Sequence, residues 1–444
     1  MTIVEWPRTL IGVLLVACWI VTVARAQDTA TSPAPDGSKP RELTESAPKR
    51  GQKRAVVERR EADDARESAG VKAYMESRNH SEKGHVFLRR GRYALSIPEF
   101  EAAHAEGLKM AFPESLETMK VNTAPTDGGG LRGTTEKLLG VALAAVADYA
   151  RAEKYLHAAL TTDEKYFSGE INWCEGYEHF GLAFVHAARG RYDDAEREYS
   201  RFIQILKSDK SIKAGKLHIT AHGYLGLASL ALARGRLGDA ERQMKIPLLV
   251  LKEKGIGEKH PVLAAHARIV LGQLRDREGR PDEAEREYRH ALTICRTLGP
   301  DHPMAAFGLD GLGELEVEVG KLDDAEKHFR EALVLREKML GKDHRELGYS
   351  LDGLGRVAAA RGDWAAAEPL LGRALAILEK GLGIDHPDVA VVALHRSRAL
   401  SRLGRDAEAT ALDRRIPPHP GLSSQGRFLA VPDGLFCDYC MHFL

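Results

Sequence analysis

The sequence predicts an all-α protein built as an array of stacked helical hairpins. Three observations lead to this prediction. Only 6% of the 444 residues are aromatic, whereas Ala, Leu, Glu and Arg, which favour helices, are abundant. A short segment recurs about every 42 residues through most of the chain. Within each recurrence, the apolar residues have the spacing of one helix face.

The charge balance excludes a class of partner. The chain carries 64 basic and 64 acidic side chains, and its formal net charge is zero. Such a chain has no overall positive field to attract nucleic acid, so we expect no nucleic-acid partner. The composition also argues against a collagen-like chain and against a polytopic membrane protein.

Residues 1–26 are predicted to be a secretory signal peptide. The stretch 9–24 has no formal charge, Arg8 precedes it, and Arg25-Ala26 resembles the end of a cleavable signal. We therefore expect an exported protein, periplasmic or extracellular. Two alternatives would hold it at the membrane: an uncleaved signal, or lipidation of Cys18 in the lipobox-like sequence 15–18.

Residues 27–80 are predicted to be a disordered, charged linker. The stretch 27–53 is rich in Pro, Ser, Thr and charged residues and shows no apolar periodicity. It buries too little apolar surface to offset the entropy of ordering. We interpret the segment as a tether to the folded part of the chain.

Residues 81–415 are predicted to contain about eight repeats. The segment GKLDDAE at 320–326 recurs as GRPDEAE at 279–285 and as GRYDDAE at 190–196. The anchor positions are 91, 147, 190, 235, 279, 320, 362 and 404, with Ala147 in the place of a glycine. Because the first interval is longer and the early units match less well, 81–174 is predicted to hold degenerate repeats with a Gly-rich insertion. The regular solenoid is predicted over 175–415.

Each unit is predicted to be two helices that meet at the anchor residue. After Gly320, small and apolar residues fall on one helix face, and before it a second face precedes the turn. These are Ala325, Phe329, Ala332 and Leu333 after the glycine, and Leu309, Leu312, Leu315 and Val319 before it. Glycine can end the first helix in a left-handed conformation that side chains disfavour. One hairpin cannot bury both faces alone, so neighbours stack into a solenoid.

A histidine marks the start of the later units. His260, His302, His344 and His386 are each 42 residues apart, and three of them precede proline. Proline suits the first position of a helix, so we interpret the pattern as a helix start. Metal binding is disfavoured because the solenoid step separates these histidines too widely to share an ion.

The repeat resembles the tetratricopeptide repeat, and more narrowly its 42-residue kinesin-light-chain-like subtype. The resemblance rests on Leu-Gly, the anchor glycine, Ala-Glu and the Asp-His-Pro marker, and it is most specific over 175–415. It implies a right-handed helical solenoid whose concave groove is lined by the first helices. It also implies that the groove binds a peptide or an extended protein segment.

Six side chains are predicted to point into that groove: Gln273, Arg275, Asp310, Glu314, Asp352 and Arg356. The family's groove often carries an Asn pair, but Asp310-Gly311 and Asp352-Gly353 occupy those places here. An ionised Asp only accepts hydrogen bonds, whereas Asn also donates them. We expect a mixed polar groove that pairs with a charged segment. The alternative is an ordinary solvated helix face.

The sequence shows no catalytic constellation. The segment 128–135 is glycine-rich, but it lacks the lysine of a phosphate-binding loop and does not follow a strand, so we interpret it as a flexible insertion. We expect no catalytic residue, no metal site and no cofactor.

The tail 416–444 is predicted to end the solenoid, because three prolines follow one another closely at 417–420. It contains the chain's one C-x-x-C motif, Cys437 to Cys440. In an oxidising compartment we expect these two cysteines to form a disulfide, within the chain or between chains.

These observations predict an exported protein-interaction scaffold rather than an enzyme. The alternative is an accessory subunit, or a redox or hydrolase partner, with chemistry in the N-terminal repeats or the C-x-x-C tail. Substitution of a few polar residues distinguishes the two classes, because a scaffold would then lose partner binding and an enzyme would lose activity.

Overall fold

The computed structural model describes residues 69, 72–88, 93–109, 130–166, 175–208, 217–252, 255–299 and 301–415. Within these ranges all the regular structure is α-helical, and the helices form eight successive hairpins. The predicted all-α solenoid of about eight units is therefore confirmed. The predicted signal peptide, most of the linker, and the tail with Cys437 and Cys440 lie outside the described residues.

The hairpins are numbered from the N-terminus. They pair α1 (72–88) with α2 (Tyr93–Leu108), α3 (Gly130–Ala145) with α4 (Tyr149–Tyr166), α5 (Glu175–Ala188) with α6 (Tyr192–Ser208), α7 (Leu217–Ala233) with α8 (Leu237–Lys252), α10 (Pro261–Arg277) with α11 (Pro281–Leu298), α12 (Met304–Glu318) with α13 (Leu322–Leu340), α14 (Leu347–Ala360) with α15 (Trp364–Leu382), and α16 (Pro387–Arg402) with α17 (Asp406–Arg415). The four-residue helix α9 (Ile256–Lys259) lies between the fourth and fifth hairpins.

Two segments differ from their predicted character. The described part of helix α1, 72–88, includes residues of the segment predicted as linker and buries Ala73, Ser77 and Ser81 along one face. Small polar residues give a weak apolar signal, so the periodicity was not visible in the sequence. The glycine-rich segment 128–135 is not wholly an insertion, because α3 starts at Gly130 and Thr135 is completely buried.

The turns of the second to eighth hairpins are left-handed, as the repeat predicted. The six anchor glycines from Gly190 to Gly404 have φ between +69° and +82°, and Ala147, in the glycine's place, has φ +62°. The residue after each anchor donates its N–H to a carbonyl five residues earlier, as Arg280 does to Arg275. This bond satisfies carbonyls that the ending helix would otherwise leave free.

The two helices of a hairpin differ in burial. In α5, the first helix of the third hairpin, every residue except His179 is buried. Its partner α6 buries one face, which includes Tyr199 and Phe202, and exposes the other. A helix buried all round lies inside an array and an amphipathic helix lies at its surface. The first helices therefore form the inner layer, and the second helices form the outer layer.

Aromatic rings from the outer helices pack on glycines of the inner helices. Tyr288 lies against Gly272 of its own hairpin and Gly311 of the next, and Phe329 lies likewise against Gly313 and Gly353. A Cβ placed on Gly313 would lie 2.8 Å from Cζ of Phe329. The glycines thus provide the space that each ring needs, and one ring joins two hairpins.

The histidine markers stand at the starts of inner helices. Nδ1 of His302, His344 and His386 accepts a backbone N–H two residues further on, at distances of 3.1 to 3.3 Å. His260 makes no such bond, and its ring stacks on His218 with 4.0 Å between centroids. Of these three, His386 is the N-cap residue of its helix, whereas His302 and His344 lie one and two residues before theirs.

The last helix buries Ala409 and Leu412 and exposes mainly polar side chains. A polar outer face is what an array needs at its end. Among the helices that the structure describes, none is both long and apolar enough to cross a membrane.

Candidate functional site

Repetition of the hairpins places inner-helix side chains in rows. Asp310 on α12 and Asp352 on α14 form one row. Glu314 and Arg356, one helical turn further along the same two helices, form the next row. We call these four residues, together with Arg336 and His395, the polar cluster. The structure thus brings together four of the six predicted groove residues.

Arg356 and Glu314, which form the second row, are joined by an ion pair. Nη1 of Arg356 donates to both carboxylate oxygens of Glu314, at 2.6 and 2.7 Å. The side chains are 16% and 20% exposed, so a bound molecule can reach both. Burial works against the charge on Arg356, but Glu314 and Asp352 hold the pKa of its guanidinium above the ordinary value.

Asp352 holds other side chains and does not meet solvent. Its side chain is completely buried, Nδ1 of His395 lies 2.7 Å from Oδ1, and Arg356 lies 4.0 Å from Oδ2. The prediction that Asp352 itself pairs with a bound segment does not fit this burial. Its carboxylate instead connects the inner helices of the seventh and eighth hairpins and orients Arg356.

Asp310 belongs to a buried ionic network. The fully buried guanidinium of Arg336, on the outer helix α13, donates to Asp310, to Ser350 at 2.6 Å, and to Glu346 at 3.3 Å. Burial raises the pKa of the Asp310 carboxyl to about 6, although Arg336 and Ser350 both donate to it. Asp310 is 17% exposed, so it borders the cluster and is largely occupied by Arg336.

The other two predicted groove residues lie on α10 and are not members of this cluster. Arg275 stands in the last turn of α10 and pairs with Glu278 at 2.6 Å and with Glu283 at 3.7 Å, at the turn of its own hairpin. Arg275 therefore serves the hairpin turn and is not a groove residue. Gln273 is half-buried and shares the row of Glu314 and Arg356.

The inner helices of the third to fifth hairpins are apolar at the place of Asp310. Phe180, Leu225 and Ile269 occupy it, and all three are buried. Among the third to eighth hairpins, an acidic residue thus occupies this place only in the sixth and seventh. The candidate site is confined to α12, α14 and α16, with Arg336 behind them.

A second ionic network, which sequence reasoning missed, joins the second and third hairpins. Nζ of Lys137 lies 2.7 Å from Glu178 and 3.7 Å from Asp163, and both carboxylates are completely buried. Burial raises the pKa of the Glu178 carboxyl to about 7. Counted from the anchors, Lys137 and Asp163 hold the places of Asp310 and Arg336 with the charges exchanged. That register relation was visible in the sequence.

Sequence comparison identifies the repeat. Residues 262–338, 309–380 and 347–416 match a sequence profile described as tetratricopeptide repeat, and residues 179–201 match a second profile of that description. No curated protein matches the chain.

Several solved structures resemble the chain. BtubC (BKLC) from P. vanneervenii is 20% identical over 52% of this chain and 96% of that chain, with a TM-score of 0.40. A putative kinesin light chain from Podosopora anserina is 21% identical over 45% and 93%, with a TM-score of 0.35. The apo quorum sensor NprR from B. thuringiensis is 14% identical over 74% and 85%, with a TM-score of 0.47.

The profile matches cover the fifth to eighth hairpins and part of the third. The same left-handed turn closes every hairpin from the second to the eighth. The chain therefore contains tetratricopeptide repeats, over residues 179–201 and 262–416.

Proposed function

We propose that this protein is an interaction scaffold that binds a peptide or an extended protein segment at the polar cluster. The observation that carries the proposal is the ion pair of Arg356 and Glu314, which is partly exposed and held on consecutive inner helices. Both bonds to Glu314 come from Nη1 of Arg356. A guanidinium has five N–H donors, so its remaining donors can meet a carboxylate or carbonyl of the bound segment.

The support beneath this pair favours binding. Asp352 is fixed by His395, and Asp310 is fixed by Arg336 from the outer layer. A site whose side chains are already held loses little entropy when a ligand arrives. The partner that fits has acceptor groups for Arg356 beside a donor, such as a lysine or a backbone N–H, for Glu314.

The test is affinity capture from the native cell with the full chain. The variant Glu314→Ala/Arg356→Ala removes both members of the pair, so neither charge is left unpaired. The matched control is Glu285→Ala/Arg289→Ala, an exposed pair 2.7 Å apart on the outer helix α11. We expect the first variant to lose a partner that both the parent and the control capture, with helix content unchanged by circular dichroism. Equal capture by all three chains would refute the site.

We also propose that the protein is exported, since the residues that carry this inference, 9–26, have the pattern of a secretory signal. Cell fractionation of a C-terminally tagged chain tests this, together with N-terminal sequencing of the mature form. We expect a soluble exported protein that begins near residue 27. Retention at the membrane that Cys18→Ser abolishes would show lipidation instead, and a cytoplasmic full-length chain would contradict export.

A further inference from the structure

Hairpins that are far apart in the sequence touch one another. The turns of the second and third hairpins, at 145–149 and 190–192, lie against the segments that lead into α14 and α16, at 344–346 and 386–388. The contact joins residues about 200 positions apart. In a repeat array whose units meet only their neighbours, no such contact is needed.

His344 is central to the contact. Its Nε2 lies 3.2 Å from the carbonyl oxygen of Ala145, and its Nδ1 lies 3.3 Å from the backbone N–H of Glu346. Because Nδ1 accepts that N–H, the hydrogen sits on Nε2, which donates to Ala145. Both nitrogens of the neutral ring are therefore engaged in hydrogen bonds. A second proton would have to sit on Nδ1 and face the N–H of Glu346.

Arg345 makes the adjoining contact. It stands where the other late markers have proline, and its guanidinium lies 5.5 Å from the ring centroid of Tyr149 on α4. Both side chains are buried. A cation is attracted to an aromatic ring more strongly when both are buried than when they are exposed. Arg345 thus replaces proline in the unit that contacts the second hairpin.

A second point of contact lies at Gly190. A Cβ placed on Gly190 would lie 3.1 Å from Cδ2 of His386 and 3.4 Å from Cδ of Pro387. The pKa of the neighbouring Tyr192 is raised mainly by burial, and the negative charge of Asp388 raises it further. Tyr192 therefore lies close to Asp388.

Apolar side chains complete the contact. Leu340 and Leu382, the last residues of α13 and α15, pack against the core cluster formed by the first four hairpins. The contact is therefore a small interface with an apolar part, a cation–π pair and a histidine hydrogen bond.

We propose that this interface is a clasp, which closes the array between its second and third hairpins and its sixth to eighth, and which opens when His344 takes up a proton. Opening changes the distance between the two ends of the inner layer. The clasp is thus a conformational device of the array itself and does not depend on which segment the polar cluster binds.

The direction of the pH effect follows from the surroundings of His344. In the closed state its pKa is lowered to about 4, because it is buried; Arg345 and Arg336 act in the same direction, while Glu346 and the Ala145 carbonyl oppose them. An exposed histidine has a pKa of about 6.5. His344 therefore contributes fully to the closed state above about pH 6.5, and at lower pH its protonation decreases the closed-to-open ratio by at most tenfold per pH unit. At pH 5 the closed-to-open ratio falls by about thirtyfold.

Small-angle X-ray scattering of the full chain at pH 7.5 and pH 5.0 measures opening as an increase in radius of gyration. His344→Gln keeps a donor for Ala145 and an acceptor for Glu346 but cannot be protonated in this range. His302→Gln is the control, since His302 occupies the same register place and its Nδ1 likewise accepts the backbone N–H two residues further on. We expect expansion at pH 5.0 in the parent and in the control, and none in His344→Gln. Equal expansion in all three chains would overturn the role of His344.

A glycine pair tests the clasp without pH. Gly190 and Gly279 have φ of +71° and +72°, so alanine brings the same backbone strain at both places. Only at Gly190 does the new Cβ meet residues across the clasp, because nothing lies within 4 Å of the corresponding Cβ at Gly279. We expect Gly190→Ala to be expanded at pH 7.5 relative to Gly279→Ala, with equal helix content. Equal radii for the two variants would show that the array needs no clasp.

Discussion

Arg336 shows how one side chain in the repeat decides whether the contact between hairpins is ionic or apolar. Counted from the anchors, Asp310, Arg336 and Glu346 hold the places that Ile269, Cys295 and Met304 hold one hairpin earlier. Those three form part of a single apolar cluster. The same backbone geometry therefore accommodates either an apolar or an ionic set of side chains at these places. Between hairpins two and three the set is ionic, with the positions of the positive and negative charges exchanged. A buried ionic network whose attraction only offsets the cost of removing its charges from water contributes little net stability.

This comparison predicts opposite results for a single and a triple substitution. Arg336→Leu, which introduces the residue that Leu378 supplies one hairpin later, removes the guanidinium from Asp310 and Glu346 and should cost about 3 to 5 kcal/mol of unfolding free energy. Asp310→Ile/Arg336→Leu/Glu346→Met transplants the apolar solution and should be neutral or stabilising. Urea unfolding, followed by helix signal, measures both. A triple variant as unstable as the single one would show that the ionic set is needed for the fold.

At the scale of elements, the hairpins are held together by rings seated on glycines. Phe329 is completely buried between Gly313 and Gly353, so the space at those glycines is part of the core. Helix propensity alone would favour alanine over glycine at a helical place by about 1 kcal/mol. Packing and helix propensity therefore have opposite effects on stability at these positions. The larger of the two decides whether a Gly→Ala substitution stabilises or destabilises the protein.

We expect packing to win. Gly313→Ala places a Cβ 2.8 Å from Cζ of Phe329 and should lower the unfolding free energy by about 1 to 3 kcal/mol. The control is Gly238→Ala in α8, where nothing lies within 4 Å of the new Cβ. That substitution should raise stability by about 0.5 kcal/mol. Denaturant midpoints compare the two, and a shift in the same direction for both would mean that the ring moves aside at little cost.

The elements also show what a sequence reveals. The anchor glycines predicted the turns because a left-handed residue is a local requirement, and even Ala147 was placed correctly in that set. Helix α1 was missed because Ser77 and Ser81 carry the buried face. The burial of Asp352 depends on His395 from the next hairpin, and a single helix pattern does not contain that neighbour. Export and the C-x-x-C tail stay predictions.

At the scale of the whole molecule, the contact around His344 separates this array from a simple row of hairpins. In a row, stability is close to a sum of units and nearest-neighbour interfaces, and a defect stays local. A contact between hairpins two and seven closes a loop through the array, so a defect on one side reaches the other. The sequence could not reveal this, because it depends on the summed rotation of five successive hairpins. Its one local sign was the replacement of proline by Arg345.

Hydrogen exchange distinguishes the two behaviours. Leu382 and Leu298 end the outer helices of the seventh and fifth hairpins, but only Leu382 is among the residues that pack on the core cluster of hairpins one to four. Leu382→Ala should therefore speed amide exchange in α15 and also in α3 to α5, whereas Leu298→Ala should speed it only in the fifth and sixth hairpins. Mass spectrometry of peptides at neutral pH, where the clasp is closed, gives the comparison. Faster exchange confined to the seventh and eighth hairpins in Leu382→Ala would mean that the two ends of the array are energetically independent.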